Sequence, residues 1–446
     1  GHNPFTVATG VRIPVGTPSK LKFGSKKTRF GGSFSFPPFE DNVAMKSSLL
    51  FHRICALALL LPSFAALGQA DDSHCNGSYL EAKSRSTFTE SCYPTTAFSK
   101  TFAQVLSDNG IPGGAYAIVR EGYIAETGAF GVRRLGDPAP VSADTVFRIA
   151  SLSKTFAAQI GAQLESEGKL QWDAPVTRYV PGFRLKKPEH TQRLQLSHLL
   201  GQSTGIVPNA YDNLLDENMA LARILPQFAT LEPVCRTGNC YTYQNILFSL
   251  VQPAYEQASG STYDTLLRER LFEPLRMTHA SVGMDAWHAA TDRAEPHVRR
   301  DGAWQSVDVA PGYYQIAPAA GINASVNDMA NWLLAQMGSH PDVVTPAHVA
   351  ALTQKRIATP RELRRYRWKE LLTEAHYGLG WRIYTLGEDE LIMHSGWVQG
   401  FVADMAWSPG KRSGLVVLLN GESRTISDLT TAFWSRELGM VPREHE

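Results

Sequence analysis

This sequence lacks three kinds of pattern, namely the spacing of metal ligands, phosphate-binding loops and long apolar runs. It has only five cysteines among 446 residues. No two of them form a Cys-x-x-Cys pair and no two histidines form a His-x-x-x-His pair, so the sequence predicts no zinc site. It also has no glycine-rich phosphate loop. The apolar run at 54–61 is too short to span a bilayer, and we therefore expect no stable membrane anchor.

The sequence also lacks a large excess of positive or negative charge. The whole chain carries a formal net charge of +1. The first 70 residues are basic, whereas residues 71–446 contain 35 Lys and Arg against 40 Asp and Glu, a net charge of −5. A mildly acidic body gives no electrostatic reason to bind nucleic acid, so we do not expect that class of partner.

The first 70 residues are interpreted as segments outside the folded protein. Residues 1–44 are rich in Gly, Ser, Phe and Lys without periodicity, which indicates vector sequence or an over-extended start. Residues 45–70 follow the order of a secretory signal peptide, with a basic start at Met45-Lys46, the apolar run and a small-residue end at Ala70. We expect cleavage near Ala70 and a periplasmic or secreted protein.

Four cysteines remain after such cleavage, namely Cys75, Cys92, Cys235 and Cys240. Four cysteines allow three pairings. Nearness in the sequence favours Cys75–Cys92 and Cys235–Cys240, and an exported, oxidising setting permits both disulfides.

The hydrophobic period changes twice along the chain, and this predicts the architecture. Alternation predicts an antiparallel hairpin over 115–127. Helical spacing then dominates the middle, at 153–166, 192–200, 244–258, 263–271 and 325–337. After residue 376, strands are predicted at 377–381, 391–394, 401–407 and 415–419.

These elements predict an α+β fold, with one antiparallel sheet built from N- and C-terminal segments and flanked by helices. Residues 71–155 and 341–446 would form this α/β domain. A mostly helical domain, residues 156–340, would be inserted between them, and an active site would lie in the cleft.

Ser151 and Lys154 are the first candidates for chemistry. Ser151 falls where a short apolar run gives way to a helical pattern, and Lys154 follows on the same helix face one turn later. A hydroxyl attacks poorly at neutral pH unless a base takes its proton, and an adjacent amine can do so. Ser-x-x-Lys also occurs elsewhere in the chain, and Ser151 could instead be a helix cap.

Tyr243 and Asn245 are the second pair, placed after the predicted Cys235–Cys240 loop and at the start of a helical segment. A lysine ammonium nearby would lower the pKa of the Tyr243 phenol, so that phenolate could act as a base. Asn245 could hold Lys154 through its carbonyl and a substrate through its amide. A buried tyrosine with a satisfied hydroxyl is the structural alternative.

The third candidate is His394-Ser395-Gly396, which ends a predicted strand, and Trp397 follows it. Glycine would allow a ligand to approach the strand closely. A backbone N–H here could join that of Ser151 in an oxyanion hole, although a simple strand-end turn explains the pattern as well.

Taken together and in this order, Ser151-x-x-Lys154, Tyr243-x-Asn245 and His394-Ser395-Gly396 resemble the three motifs of the serine β-lactamase and penicillin-binding protein superfamily. The class C branch is the most similar. Two further stretches, 196–205 and 318–325, also resemble family segments, and the resemblance covers roughly residues 95–440. It implies a DD-peptidase-like fold that needs no metal or cofactor.

The resemblance also implies roles for the candidate residues. Ser151 would form an acyl-enzyme while Lys154 and Tyr243 shuttle its proton. Backbone N–H groups of Ser151 and Trp397 would hold the oxyanion, and Tyr243 would activate the deacylating water.

Two departures from the class C pattern concern substrate binding. His394 stands where class C enzymes usually carry lysine, which supplies a permanent charge for the substrate carboxylate and for the tyrosine. A protonated His394 would have to replace it, or Arg424, just past a predicted strand, could supply the charge. Asn209 is the counterpart of a family glutamine that holds the substrate's amide side chain.

The expected function is therefore that of a class C type serine β-lactamase. Alternatives on the same scaffold are an esterase, a D-amino-acid peptidase or a slowly deacylating penicillin-binding protein. The expected partner is a small β-lactam or a peptide derived from peptidoglycan, and we expect a monomer.

Overall fold

The computed structural model describes residues 97–440. The segments interpreted as leader and signal peptide, 1–44 and 45–70, lie outside the described residues, as do Cys75 and Cys92. In the described part, no helix has the length and apolar character needed to cross a membrane.

Thirteen strands occur within residues 97–440. They are β1 Gly113–Arg120, β2 Tyr123–Gly131, β3 Phe147–Arg148, β4 Ser281–Val282, β5 His297–Arg300, β6 Ala303–Ser306, β7 Ile322–Ala324, β8 Ile357–Ala358, β9 Glu374–Tyr377, β10 Arg382–Leu386, β11 Asp389–Val398, β12 Phe401–Ser408 and β13 Ser413–Leu419.

The same range contains thirteen α-helices. They are α1 Ala97–Asp108, α2 Ser153–Ser166, α3 Pro188–Arg193, α4 Leu196–Leu200, α5 Asp212–Asp216, α6 Leu221–Ile224, α7 Val251–Ser259, α8 Tyr263–Leu267, α9 Met284–Ala289, α10 Ala317–Ala320, α11 Val326–Gln336, α12 Pro346–Thr353 and α13 Thr425–Glu437.

One antiparallel sheet of eight strands joins the two ends of the described chain. Its order is β2-β1-β13-β12-β11-β10-β9-β8. The N-terminal hairpin is inserted beside the C-terminal meander, because β1 pairs with β13 in a register that sets Gly114 opposite Leu419. The predicted fold class, with one sheet built from both ends of the chain, is therefore confirmed.

Helices cover both faces of this sheet, which explains why its central strands read as continuous apolar runs. Along β13, Leu415, Val417 and Leu419 pack with α1 and α13 on one face. The alternate residues, Val416 and Leu418, pack with α2 and α11 on the other face. Side chains that point both ways are therefore buried, and the usual polar alternation is lost.

Helix α2 begins and ends where the spacing predicts. Phe156, Ile160 and Leu164 are all fully buried. Phe156 stacks on Trp332 of α11 with ring centroids 4.1 Å apart, which fixes α2 between the sheet and the helical region. Two other predicted helices differ: 192–200 is divided between α3 and α4, and 244–258 becomes α-helical only at Val251.

The strand predicted at 377–381 is wrong beyond Tyr377, the last residue of β9, since residues 378–381 connect β9 to β10. Gly380 has a φ of +74°, outside the range of a strand. The amides of this connection donate elsewhere, from Gly380 to the Leu200 carbonyl (3.0 Å) and from Leu379 to the Leu352 carbonyl (2.8 Å). The prediction also missed β10, which begins at Arg382 immediately afterwards.

Candidate active site

Ser151 lies in a tight turn between a strand and a helix. β3 leads through a 3₁₀ turn, Ala150–Leu152, into α2. Ala150 has a φ of 49°, a left-handed conformation that costs a residue with a side chain roughly 1–2 kcal/mol. The turn is anchored because the Ile149 amide donates to the Ile322 carbonyl of β7 at 3.2 Å. Ser151 is thereby placed at the head of α2, with 8% of its surface exposed.

Lys154 lies one helical turn after Ser151 and is fully buried. Its Nζ is 3.0 Å from Ser151 Oγ, 2.7 Å from Asn245 Oδ1 and 3.0 Å from the Ala319 carbonyl oxygen. Burial lowers the pKa of Lys154 well below its ordinary value. The charge of Asp212 opposes this shift in the Lys154 pKa, and that of Arg382 adds to it.

The three neighbours of Lys154 Nζ suit a neutral amine. The oxygens of Asn245 and Ala319 are carbonyl oxygens, which accept hydrogen bonds and cannot donate them. The two N–H groups of a neutral amine satisfy both. In that neutral state the lone pair would be left for Ser151 Oγ, 3.0 Å away.

Tyr243 is held by its backbone on both sides. The Cys235–Cys240 disulfide, which confirms the predicted pairing, closes the loop just before it. The Asn209 amide donates to the Tyr243 carbonyl at 2.8 Å. Two hydrogen bonds tie the next residue, Gln244, to the side chain of Gln202. This is how the structure brings Asn209 to the site, through its backbone.

The Tyr243 side chain contacts both Ser151 and Lys154. It shares a hydrogen bond with Ser151, and Lys154 Nζ lies 4.9 Å from the centroid of its ring. Burial nevertheless raises the pKa of Tyr243 to about 12, against the opposing effects of Arg382 and Ser151. The prediction of a phenolate is therefore wrong, and Tyr243 is a neutral phenol at neutral pH.

Asn245 links Lys154 to a carboxyl group that sequence reasoning missed. While its Oδ1 accepts from Lys154, its Nδ2 donates to Asp212 Oδ2 at 2.7 Å. Burial raises the pKa of Asp212 to about 7, and its hydrogen bond with Asn245 and the charge of Lys154 limit the rise. The available signal was that Asp212 lies inside a second Tyr-x-Asn pattern, Tyr211-Asp212-Asn213.

The third motif lies inside β11, which continues to Val398, and so does not end the strand as predicted. β10 pairs with β11 only as far as Met393, so in the described chain no strand flanks the backbone of 394–397 on that side. Gly396 packs directly against the turn that carries Ser151 (residues 149–152, the serine turn), because a Cβ there would overlap the Ile149 carbonyl oxygen. Trp397 follows Gly396 directly in β11, so its backbone lies next to this contact.

His394 is fully buried and both of its ring nitrogens are bonded. Nδ1 donates to the Ser395 carbonyl oxygen at 2.9 Å, since a carbonyl can only accept. Nε2 therefore accepts from the Tyr377 hydroxyl at 3.0 Å. Burial, with the nearby charges of Arg382 and Lys154, lowers the pKa of His394 well below its ordinary value. His394 is thus uncharged at neutral pH, contrary to a role as an imidazolium anchor.

Ser395 points to the opposite face of the sheet. Its hydroxyl donates to Asp404 Oδ1 at 2.6 Å and accepts from Arg365 Nη2 at 2.7 Å. The structure therefore does not bring the Ser395 side chain to Ser151.

Arg424 is exposed at the start of α13. Within residues 97–440 its guanidinium forms no hydrogen bond or ion pair with the site. The cation that does lie at the site is Arg382, whose Cζ is 5.4 Å from the Tyr243 ring centroid. Sequence reasoning missed Arg382 because it directly follows the incorrectly predicted strand.

Across residues 97–440, no group of three or more His, Cys, Asp and Glu side chains is placed to hold a metal ion.

The chain is similar to several known proteins. The chain is 24% identical over 340 residues to an unguisins hydrolase of Aspergillus campestris, covering 72% of this chain and 61% of that protein. It is 22% identical over 340 residues to Protein flp of Staphylococcus aureus, covering 73% and 62%. It is also 22% identical over 360 residues to a beta-lactamase of Escherichia coli K12, covering 72% and 87%. This chain thus spans less than two thirds of the first two relatives.

A solved structure and a family model cover most of the described chain. The octameric penicillin-binding protein homologue from Pyrococcus abyssi has a TM-score of 0.68 and 23% identity over 78% of both chains, and so has the same fold. The family model described as Beta-lactamase matches residues 98–434. This chain therefore belongs to the beta-lactamase family, within the superfamily of serine β-lactamases and penicillin-binding proteins.

Proposed function

We propose that the protein is a serine hydrolase that forms an acyl-enzyme on Ser151, and that its substrate is a β-lactam, as in class C β-lactamases. The observation that supports this most directly is the 3.0 Å approach of Lys154 Nζ to Ser151 Oγ inside a buried site. The order of the three motifs and the presence of Tyr243 beside Ser151 support the class C type.

Acylation would begin from the neutral amine of Lys154. Ser151 Oγ attacks the carbonyl carbon and its proton passes to Lys154 Nζ. The N–H groups of Ser151 and Trp397 hold the oxyanion. As the C–N bond of the lactam breaks, the nitrogen takes a proton from the Tyr243 phenol, which recovers one from the Lys154 ammonium.

Deacylation would restore the enzyme with one water. The water attacks the ester carbonyl and gives up one proton, which Tyr243 and Lys154 pass to the leaving oxygen of Ser151. A free carboxylic acid and the starting hydroxyl result. Tyr243 lies beside Ser151 and is the group that we assign to guiding this water.

A second candidate is hydrolysis of an ester or of a D-amino-acid peptide on the same scaffold. The uncharged state of His394 favours it, because the third motif then offers no cation to a β-lactam carboxylate. A slowly deacylating penicillin-binding protein would share the acylation step and lack rapid turnover.

Turnover of a chromogenic cephalosporin beside a p-nitrophenyl ester tests these proposals, together with the mass of the protein after exposure to penicillin. Rapid cephalosporin turnover supports the β-lactamase, ester turnover alone supports the second candidate, and a stable adduct without turnover indicates a binding protein. Ser151→Ala is expected to abolish every activity and the adduct. Ser166→Ala is the matched control, because Ser166-x-x-Lys169 repeats the motif at the exposed end of the same helix. Retention of hydrolysis by Ser151→Ala would refute the proposed function.

A further inference from the structure

A cation lies behind the Tyr243 ring. Arg382 begins β10 and its side chain is only 11% exposed. Its Cζ lies 5.4 Å from the Tyr243 ring centroid and 5.9 Å from that of Tyr377, the residue that donates to His394. The guanidinium is therefore held in the wall of the candidate active site.

The charge of Arg382 is only partly compensated. Its carboxylate neighbour is Glu362, with Oε1 3.6 Å from Nε, a distance beyond a good hydrogen bond. Glu362 also accepts from Tyr384 and faces Arg365 at 3.9 Å. The buried Nε and Nη1 of Arg382 have no hydrogen-bond partner in the described chain. A positive field therefore remains on the Tyr243 side.

The charged groups around the Tyr243 phenol shift its pKa in opposite directions. Arg382 lowers the pKa of Tyr243, whereas Glu362 and Asp212 raise it by smaller effects. Lys154 is neutral in the proposed resting state, and so is His394. Among these neighbours, Arg382 is thus the one that carries a permanent positive charge.

We propose that Arg382 is the positioning residue that makes Tyr243 an adequate proton donor, and that it supplies the charge that a lysine at position 394 would otherwise provide. This inference rests on the proposed function, in which Tyr243 protonates the leaving group. The third motif then contributes a neutral hydrogen-bonding histidine. The positive charge is supplied instead by Arg382 of the neighbouring strand β10.

The dependence of the rate on the leaving group tests this role. An ethoxide leaving group needs a proton, whereas p-nitrophenolate leaves without one, so a weaker acid at Tyr243 slows only the ethyl ester. With ethyl and p-nitrophenyl esters of one acid, Arg382→Gln is expected to lower kcat/KM for the ethyl ester by about 10- to 100-fold. That is the order expected for a partly compensated unit charge at this distance. For the p-nitrophenyl ester, kcat/KM should fall by less than about 3-fold.

Restoring the charge should restore the ratio of the two rates. Arg382→Lys and the double variant Arg382→Gln/His394→Lys are both designed to do this. Arg424→Gln, which removes an exposed arginine outside the site, is the matched control and should leave the ratio unchanged. If Arg382→Gln does not fold, Glu362→Gln decides, because removal of the opposing charge should raise the rate with the ethyl ester relative to the p-nitrophenyl ester.

Equal losses with both esters, or no rescue by either lysine variant, would overturn the role of Arg382. If Arg382→Gln does not fold, an unchanged ratio of the ethyl and p-nitrophenyl ester rates in Glu362→Gln would also overturn it. These results are distinct from failure of the proposed function, which is measured by hydrolysis that persists in Ser151→Ala.

Discussion

Replacing Gly396 by alanine should disable the site through packing alone. Gly396 is in the centre of β11 where the strand meets the serine turn, and its φ is not in the left-handed region. A Cβ added there would lie 3.2 Å from Ala150 Cβ and would overlap the Ile149 carbonyl oxygen. One neighbour is a backbone carbonyl oxygen and the other is a Cβ attached directly to the backbone, so rotating a side chain cannot relieve the overlap.

The size of the effect follows from the overlap. Ordinary contact would require β11 and the serine turn to separate by about 1 Å. A misplacement of about 1 Å costs about 100-fold in rate, or about 2.7 kcal/mol in transition-state stabilisation. Overpacking should also lower the free energy of unfolding by about 1–3 kcal/mol.

Steady-state kcat/KM and urea unfolding of Gly396→Ala measure the two effects. Gly182→Ala is the matched control, because Gly182 is exposed and no atom of the described chain comes within 4 Å of its added Cβ. Wild-type kcat/KM in Gly396→Ala would refute the proposed contact between β11 and the serine turn, whatever the change in stability.

Three further outcomes follow from the charges and the disulfide. Asp212→Asn should move the acid limb of kcat/KM to lower pH, because Asp212 raises the pKa of Lys154; an unchanged limb would contradict Lys154 as the base. His394→Gln should leave the pH dependence of KM for an anionic substrate unchanged between about pH 5.5 and 7.5, because burial keeps the pKa of His394 well below its ordinary value while Asp212 is the group that titrates there; a rise in KM with pH that this variant abolishes would show that the imidazolium binds substrate. Replacing Cys235 and Cys240 by serine should lower the free energy of unfolding by about 2 kcal/mol, from loop-closure entropy, in urea titrations; equal stabilities would contradict this estimate.

Elements with a strong local period could be predicted well. The four-residue spacing of Phe156, Ile160 and Leu164 predicts α2 at its observed bounds. The strand prediction at 377–381 failed because the apolar residues there alternate as they do in a strand. The conformation is instead set by Gly380 and by hydrogen bonds to α4 and α12. Such docking depends on residues that are remote in the sequence and leave no trace in the local pattern.

The candidate site could be predicted as far as its motifs reach. Ser151, Lys154, Tyr243 and Asn245 converge as predicted, because each belongs to a short pattern with a fixed position. Arg382 belongs to no motif. Its place beside Tyr243 follows from where β10 begins against β11, which only the assembled sheet determines.

The protonation states of the site residues could not be predicted from the sequence, for a different reason. Proximity to Lys154 predicted a lower pKa for Tyr243, but desolvation by burial raises that pKa, and the cation that opposes the rise is Arg382. Burial disfavours whichever form is charged, so it lowers the pKa of the amine and raises that of the phenol. Both shifts lead to the same state, a neutral amine beside a neutral phenol. In that state one group can take the proton of Ser151 and the other can give one to the leaving atom, as the proposed acylation requires.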